Sequence, residues 1–382
     1  MAQNLLITNC RLFNSQDKTV SILIEDGLIK KIGQIDKAAS KNVIDAKGLT
    51  VAPGFIEVHI QGAGGADILD NSVDALKAIS KTCARFGVTG FLATTVFKPE
   101  KQNDHLALAA QSVGRDLEGA HLLGIHLEGP FISPQKKGMI QPDCLCLPSQ
   151  QVLDKIMDVC QGKLMMMTIA PELPECLPVI GRLVDAKVIA SIAHSNATYE
   201  ETLAGFDAGI SHVTHLFNAM PSLHHRAPGP LIAILETPSI TVQIIPDGVH
   251  IHPAVLKFVF DALGPQRVIS ITDGMQSMGL PDGKYVYNGI EYESKDGTAR
   301  YKDGTLIGTA LGLSQMLKRL TAFTKCSFET AIKTVTENPA NLLGIEDKKG
   351  SITIGKDADL VLLDCDFTVY KTIVAGKIVY EK

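Results

Sequence analysis

A set of ionisable residues stands where apolar runs give way to polar or glycine-rich turns. These are His59 in FIEVHIQG, Glu128 in HLLGIHLEGP, His194 in VIASIAHSN and His215 in ISHVTHLFN. Asp247 and His250 follow in TVQIIPDGVH, and Asp273 in RVISITDGM. Two imidazoles and a carboxylate, brought to one place, can hold Zn2+ or a similar divalent ion and leave a coordination position open for water. Such an ion lowers the pKa of that water. A carboxylate beside it, as Asp273 would be, suits general base and then general acid work. Taken alone, His194 would read as a hydrogen-bonded core histidine and Asp273 as a helix cap. Their recurrence at run ends favours the site. A buried Glu128 needs a partner, and a metal is the simplest one. His126 shares a strand face with Glu128, and packing and function are equally open for it. His212 should face elsewhere, and His224 and His225 should be solvated.

The elements that must position these residues alternate. FIEVHI, VTGFLATTV, HLLGIHLEG, KLMMMTIAPE, VIASIAHS, ISHVTHLFN, TVQIIPDGVH and RVISITDGM read as strands, with helical patterns such as SVDALKAISKTCARFG and PAVLKFVFDALG between them. Short apolar strands separated by helices predict a parallel sheet buried on both faces. Eight such units predict an α/β fold, a (β/α)8 TIM barrel with its site at the strand C-terminal ends. The termini have a different texture. EDG and VAGKIV are hairpin signals within short alternating runs. They predict a small β-sandwich domain built from residues 1–52 and 346–382 around a catalytic barrel at 53–345. The segment GAGGAD is expected to be a flexible loop, not a dinucleotide fingerprint.

The net charge of −5 and the absence of basic runs argue against nucleic acid as a partner. No apolar run approaches a membrane span. The eight cysteines lack CxxC pairing, and the start, MAQNLLITNCRLF, reads as a strand and not a signal peptide. A cytoplasmic protein with reduced thiols is expected.

The stretches PGFIEVHIQGAGGAD, HLEGPFISPQKKG, APE, AHSNAT, THLFNAMPSLHHRAPG, PDGVHIHP, TDGMQSMGLPDGKY and DGTLIGT, with the C-terminal NPANLLGIEDKKGSITIGKDADLVLLD, carry a resemblance over nearly the whole chain. The sequence resembles the N-acetylglucosamine-6-phosphate deacetylases of the amidohydrolase superfamily. The resemblance implies a metal-dependent hydrolase barrel with a β-sandwich from both ends. It implies metal ligands at Glu128, His194 and His215 and an acid/base at Asp273. Implied substrate contacts are Asn218, Ala219, Arg226, Asp247, Gly248, Val249, His250, Leu306, Ile307 and Gly308, with two more at Met139 and Ile140. Many members carry a histidine after KKG. Here KKGMIQP offers no such donor, and Gln141 would substitute only if the loop shifted.

Family members with His-x-His at the first strand can hold two metals. Here the pair is His59 and Gln61, so one divalent ion per chain is expected, Zn2+ first, with Fe2+, Co2+ or Mn2+ as alternatives. A weak second site at His59 and Glu128 is the other reading. The implied reaction is hydrolysis of the N-acetyl group of N-acetyl-D-glucosamine 6-phosphate. The alternatives are the galactosamine epimer, another amidohydrolase activity such as cyclic-amide hydrolysis, and a non-catalytic regulator that binds sugar phosphates. A homodimer is implied, with Arg226 reaching the neighbouring site.

Overall fold

The computed structural model describes residues 4–382. All eight expected strands form: β1 (Phe55–Ile60), β2 (Val88–Thr95), β3 (His121–Glu128), β4 (Leu164–Ile169), β5 (Ile189–Ile192), β6 (His212–Val213), β7 (Thr241–Ile244) and β8 (Val268–Ser270). They pair in parallel and in sequence order. The two edges meet. Ile60 bridges Gly274 in parallel, Gln61 N–H donates to Gly274 O at 2.9 Å, and Asp273 N–H donates to His59 O at 3.2 Å. The sheet therefore curls into a TIM-like barrel.

The strands are apolar on both faces, as a sheet wrapped by helices requires; every residue of β1 and β2 is buried. The helix Val73–Arg85 follows β1. Ser72 caps it, accepting from Asp74 N–H, and it buries Ala75, Leu76, Ile79 and Cys83, one face at helical spacing. A separate apolar cluster holds Ile56 and Val58 of β1, Leu92 of β2, Met166 of β4 and Ile269 of β8. Strands on opposite sides of the ring contribute to it, so it packs the barrel interior.

Both chain ends join one eight-stranded sheet. Leu360–Leu363 pairs with Thr50–Pro53, and Val369–Val374 and Lys377–Glu381 extend it as a hairpin. The EDG turn forms as expected, with Glu25 opposite Leu28. Residues 1–3 of the expected small domain lie outside the described residues.

Two features depart from the sequence reading. GAGGAD is not a flexible loop: Gly62–Ala63 and Ala66–Asp67 pair as a small hairpin, and all four residues are buried. Five of its six residues are Gly or Ala, small enough to be packed away, which the glycine count obscured. The second feature is an unanticipated antiparallel sheet between β8 and the helix Leu313–Thr324. Its strands are Gly283–Tyr287, Ile290–Lys295, Thr298–Tyr301 and Leu306–Thr309. The last strand returns to the barrel mouth, where Thr309 N–H donates to Asp273 O at 2.9 Å. At Gly308, with φ of 143°, a Cβ would stand 2.5 Å from Asp273 O. Only glycine allows that approach.

Candidate active site

Glu128 closes β3, and His194 and His215 stand just beyond β5 and β6. Their ligand atoms converge. Glu128 Oε1 lies 3.0 Å from His194 Nε2 and 2.9 Å from His215 Nε2, and the two ring nitrogens are 3.1 Å apart. All three residues are buried. His194 Nδ1 faces the Lys136 carbonyl at 2.9 Å and must donate to it. That fixes the tautomer and leaves a lone pair on Nε2. His215 Nδ1 is buried and has no hydrogen-bond partner among the described residues. Acceptors so close together repel unless a cation sits between them. Their separations are near the roughly 3.3 Å edge of a tetrahedron with metal bonds of about 2.0 Å. The donor set therefore fits a divalent ion.

Asp273 lies across from the triad. Its Oδ1 is buried against His59 Nε2 at 3.3 Å, and its Oδ2 is 3.9 Å from His250 Nε2. Burial works against its charged form, but the hydrogen bond and charge of His59 outweigh burial and hold its pKa below the usual value. Burial likewise opposes an ionised Glu128, and His59, His194 and His215 together hold it well below the carboxylate range. For His59 burial is outweighed by Glu128 and Asp273, which raise its pKa to about 9. These shifts express one need: positive charge beside two buried carboxylates. An ion on the triad would meet it and leave His59 neutral. His59 Nε2 could then accept from the Gln61 amide nitrogen, 3.1 Å away, which also donates to Glu128 Oε2 at 3.3 Å.

The triad and Asp273 line a cavity of about 120 Å3, walled also by Gly138, Met139, Asn218, Ala219, His250, Leu306 and Ile307. Several expected contacts lie elsewhere. Ile140 is 1% exposed and packs in an apolar cluster with Tyr287 and Tyr292 of the inserted sheet, so it is not on the cavity wall. Gln141 donates to Asn288 O at 2.8 Å and does not stand in for the missing histidine. Asp247 is buried and off the wall. Its Oδ1 accepts from Val249 and His250 N–H, both at 2.8 Å, and its Oδ2 holds His250 Nδ1 at 2.6 Å. Gly248 supplies the positive φ of that turn, and Val249 is exposed. Arg226 is exposed and outside the cavity, its Nη1 2.7 Å from His225 Nε2.

His126 belongs to a buried chain of hydrogen bonds. Its Nδ1 donates to Val58 O at 3.0 Å, so Nε2 accepts from Thr168 Oγ1 at 2.9 Å. Thr168 in turn accepts from Thr214 Oγ1 at 3.0 Å, and Thr214 from Ser191 Oγ at 2.6 Å. Burial pushes its pKa well below the ordinary value, and a neutral ring is what this chain requires. His212 pairs with Thr241 Oγ1 and burial takes its pKa to about 3. Sequence reasoning missed Glu172, whose carboxylate accepts from Ser195 Oγ at 2.7 Å and Asn196 N–H at 2.5 Å and braces the loop that carries His194. The APE stretch had two signals, a carboxylate after a strand and a place among the stretches that resemble the family, but no role was drawn from it.

His194, His215 and Asp273 share a backbone feature: φ of 47°, 31° and 49°. Non-glycine residues rarely adopt that region, and such strain gathers at functional sites.

A family model described as the amidohydrolase family matches residues 50–379. The chain belongs to the amidohydrolase family. This amidohydrolase is 37% identical to the N-acetylglucosamine-6-phosphate deacetylase of Bacillus subtilis, over 100% of the chain and 98% of the relative. It is 34% identical to the N-acetylgalactosamine-6-phosphate deacetylase of Escherichia coli O157:H7, over 93% of each. Among solved structures it resembles an N-acetyl-D-glucosamine-6-phosphate deacetylase variant from Mycobacterium smegmatis in complex with N-acetyl-D-glucosamine-6-phosphate. The TM-score is 0.90 at 30% identity, with 99% of each chain covered. Among the described residues of the amidohydrolase, no helix is long and apolar enough to cross a membrane.

Proposed function

We propose that this amidohydrolase removes the acetyl group of N-acetyl-D-glucosamine 6-phosphate, giving D-glucosamine 6-phosphate and acetate. The observation that carries the reading is the convergence of Glu128 Oε1, His194 Nε2 and His215 Nε2 in a cavity that also holds Asp273. Full-length likeness to deacetylases supports the substrate.

Glu128, His194 and His215 would hold one divalent ion, zinc in our reading. When bound, the ion supplies Lewis acidity and lowers the pKa of a water molecule. Asp273 Oδ1 is buried, so Oδ2 takes the proton of the attacking water. As the C–N bond breaks, Oδ2 returns that proton to the nitrogen, which leaves as the amine. His250, its Nδ1–H held by Asp247, presents the Nε2 lone pair to accept from a sugar hydroxyl. Asn218 has its Nδ2 engaged by the His215 and Leu216 carbonyls, which leaves Oδ1 to accept from the sugar. Gln61 puts an amide nitrogen between His59 and Glu128, which supports a single ion per chain.

Arg226 lies outside the cavity of its own chain, which supports a homodimer in which it reads the phosphate bound by its neighbour. We read residues 1–52 and 346–382 as a small β-sandwich domain beside the barrel at 53–345. An apolar cluster of its own, with Ile7, Ile22, Ile24, Val51, Leu360 and Ile373, supports that division.

The galactosamine epimer is the second reading. The 34% identical relative supports it. Steady-state acetate release from both sugar phosphates, with metal content measured on the same sample, tests the proposal. A higher kcat/KM for the galactosamine epimer would replace the substrate. Sugar-phosphate binding without turnover by metal-loaded protein would overturn the enzyme reading.

A further inference from the structure

Gln243 interrupts the apolar run of β7 and is fully buried. Its Oε1 accepts from the His215 backbone N–H at 3.4 Å and faces His59 Nδ1 at 3.1 Å. Its backbone carbonyl accepts from Leu216 N–H at 2.9 Å. A backbone N–H can only donate, so the amide must turn its oxygen to that side; the flipped amide would set donor against donor. With the oxygen fixed, His59 Nδ1 must carry a proton. Nε2 is then the nitrogen turned toward the two carboxylates, 3.3 Å from Asp273 Oδ1 and 3.7 Å from Glu128 Oε1. The amide nitrogen of Gln243 has only the Met166 sulfur at 3.5 Å, a weak acceptor. A buried amide with one half so poorly served is costly, which points to a use for the other half.

We propose that Gln243 is a positioning residue of the metal centre, in which one buried oxygen fixes the tautomer of His59 on β1 and seats the backbone of His215 beyond β6. It touches neither substrate nor the reacting atoms. It acts through His59, buried beside Glu128 and Asp273, and through the left-handed turn that aims His215. The inference rests on the reading of His215 as a ligand.

Two variants test it. Gln243→Met matches the length and apolar setting and lacks the oxygen. Gln243→Glu keeps an acceptor. For a group that orients a ligand, Gln243→Met should lower kcat about 10–100-fold and metal retention against a chelator about tenfold, with KM nearly unchanged. Gln243→Glu should recover most of the metal retention. Nitrogen NMR of 15N-histidine-labelled, metal-loaded protein should show the His59 proton on Nδ1 in the parent and in Gln243→Glu, and a mixture of tautomers in Gln243→Met. The metal and NMR measurements need no sugar, so they stand even if the proposed substrate is wrong. A folded Gln243→Met with parental metal retention and ring signals would overturn the proposal, as would Gln243→Glu no better than Gln243→Met. If Gln243→Met fails to fold, the parent alone decides: a His59 proton on Nε2 and not Nδ1 refutes the tautomer argument.

Discussion

The Asp247→Asn substitution isolates the aim of His250 from everything else at the site. Asp247 is held on both oxygens: Oδ1 accepts two backbone N–H groups, and Oδ2 takes His250 Nδ1 at 2.6 Å. Its side chain is fully buried, and that of His250 is 4% exposed. Burial disfavours the carboxylate, but His250 and the backbone donors outweigh burial and hold its pKa below the usual value. An asparagine must keep its oxygen toward the two backbone donors, so its NH2 falls opposite His250 Nδ1. Donor then meets donor, and the ring must move its proton to Nε2 or swing away. A charge-assisted hydrogen bond, worth about 1.5–3 kcal/mol, disappears. At about 1.4 kcal/mol per tenfold, kcat/KM should fall roughly 10–150-fold. Metal content should stay at the parental level, because no atom of the triad touches Asp247. The assay is acetate release across a substrate series, with elemental analysis of the same protein. Because Asp247 works through His250, the Asp247→Asn, His250→Ala double variant should lose little more than His250→Ala alone. A kcat/KM within threefold of the parent, or losses that add in the double variant, would refute the reasoning.

Asp273→Asn should lower kcat by about 10²–10⁴, the range for a general acid–base group, while metal and substrate still bind; a near-parental kcat would remove Asp273 from the chemistry. Elemental analysis of fully active enzyme should find about one tight divalent ion per chain, and two ions needed for full rate would show that Gln61 does not close the second position. Arg226→Ala should reduce kcat/KM for the phosphorylated sugar about ten- to a hundred-fold and matter much less without the phosphate; mixing it with Asp273→Asn chains should restore activity if the arginine serves its neighbour. Burial pushes the Asp67 carboxyl up to about 7, and its Oδ2 has no hydrogen-bond partner among the described residues. The folded chain then binds the extra proton between about pH 4 and 7, so this group makes stability fall as pH rises through that window. Asp67→Asn keeps the cap on Leu69 N–H and should flatten the fall of Tm with pH; an unchanged profile would place the slope elsewhere.

The barrel was legible because a strand buried on both faces must be written in apolar residues, and six of the eight runs ended at or near a site residue. His194 and His215 could be nominated for the same reason: an imidazole closing an apolar run needs a partner. What the side chains touch was harder to read. Ile140 adjoins the wall residue Met139 and Asp247 lies three before the wall residue His250, yet neither is on the wall, since an apolar cluster and a tight turn decide which way each faces. The inserted sheet was missed because its strands, such as IEYESK and TARY, carry the polar alternation of a half-exposed ribbon. Gln243 did leave a signal, an amide inside an apolar strand, but its meaning depends on β1 and β6 arriving on either side.

The left-handed backbone at His194, His215 and Asp273 sets two selective pressures against each other at the same positions. Holding an L-residue there costs about 1–2 kcal/mol, a cost glycine does not bear. Glycine at any of the three would relax the main chain while deleting the side chain that matters. A screen that rewards only thermal endurance would drift toward such replacements and return sturdier, inert proteins. Attempts to harden this enzyme belong on the outer helices, with these three turns left as they are.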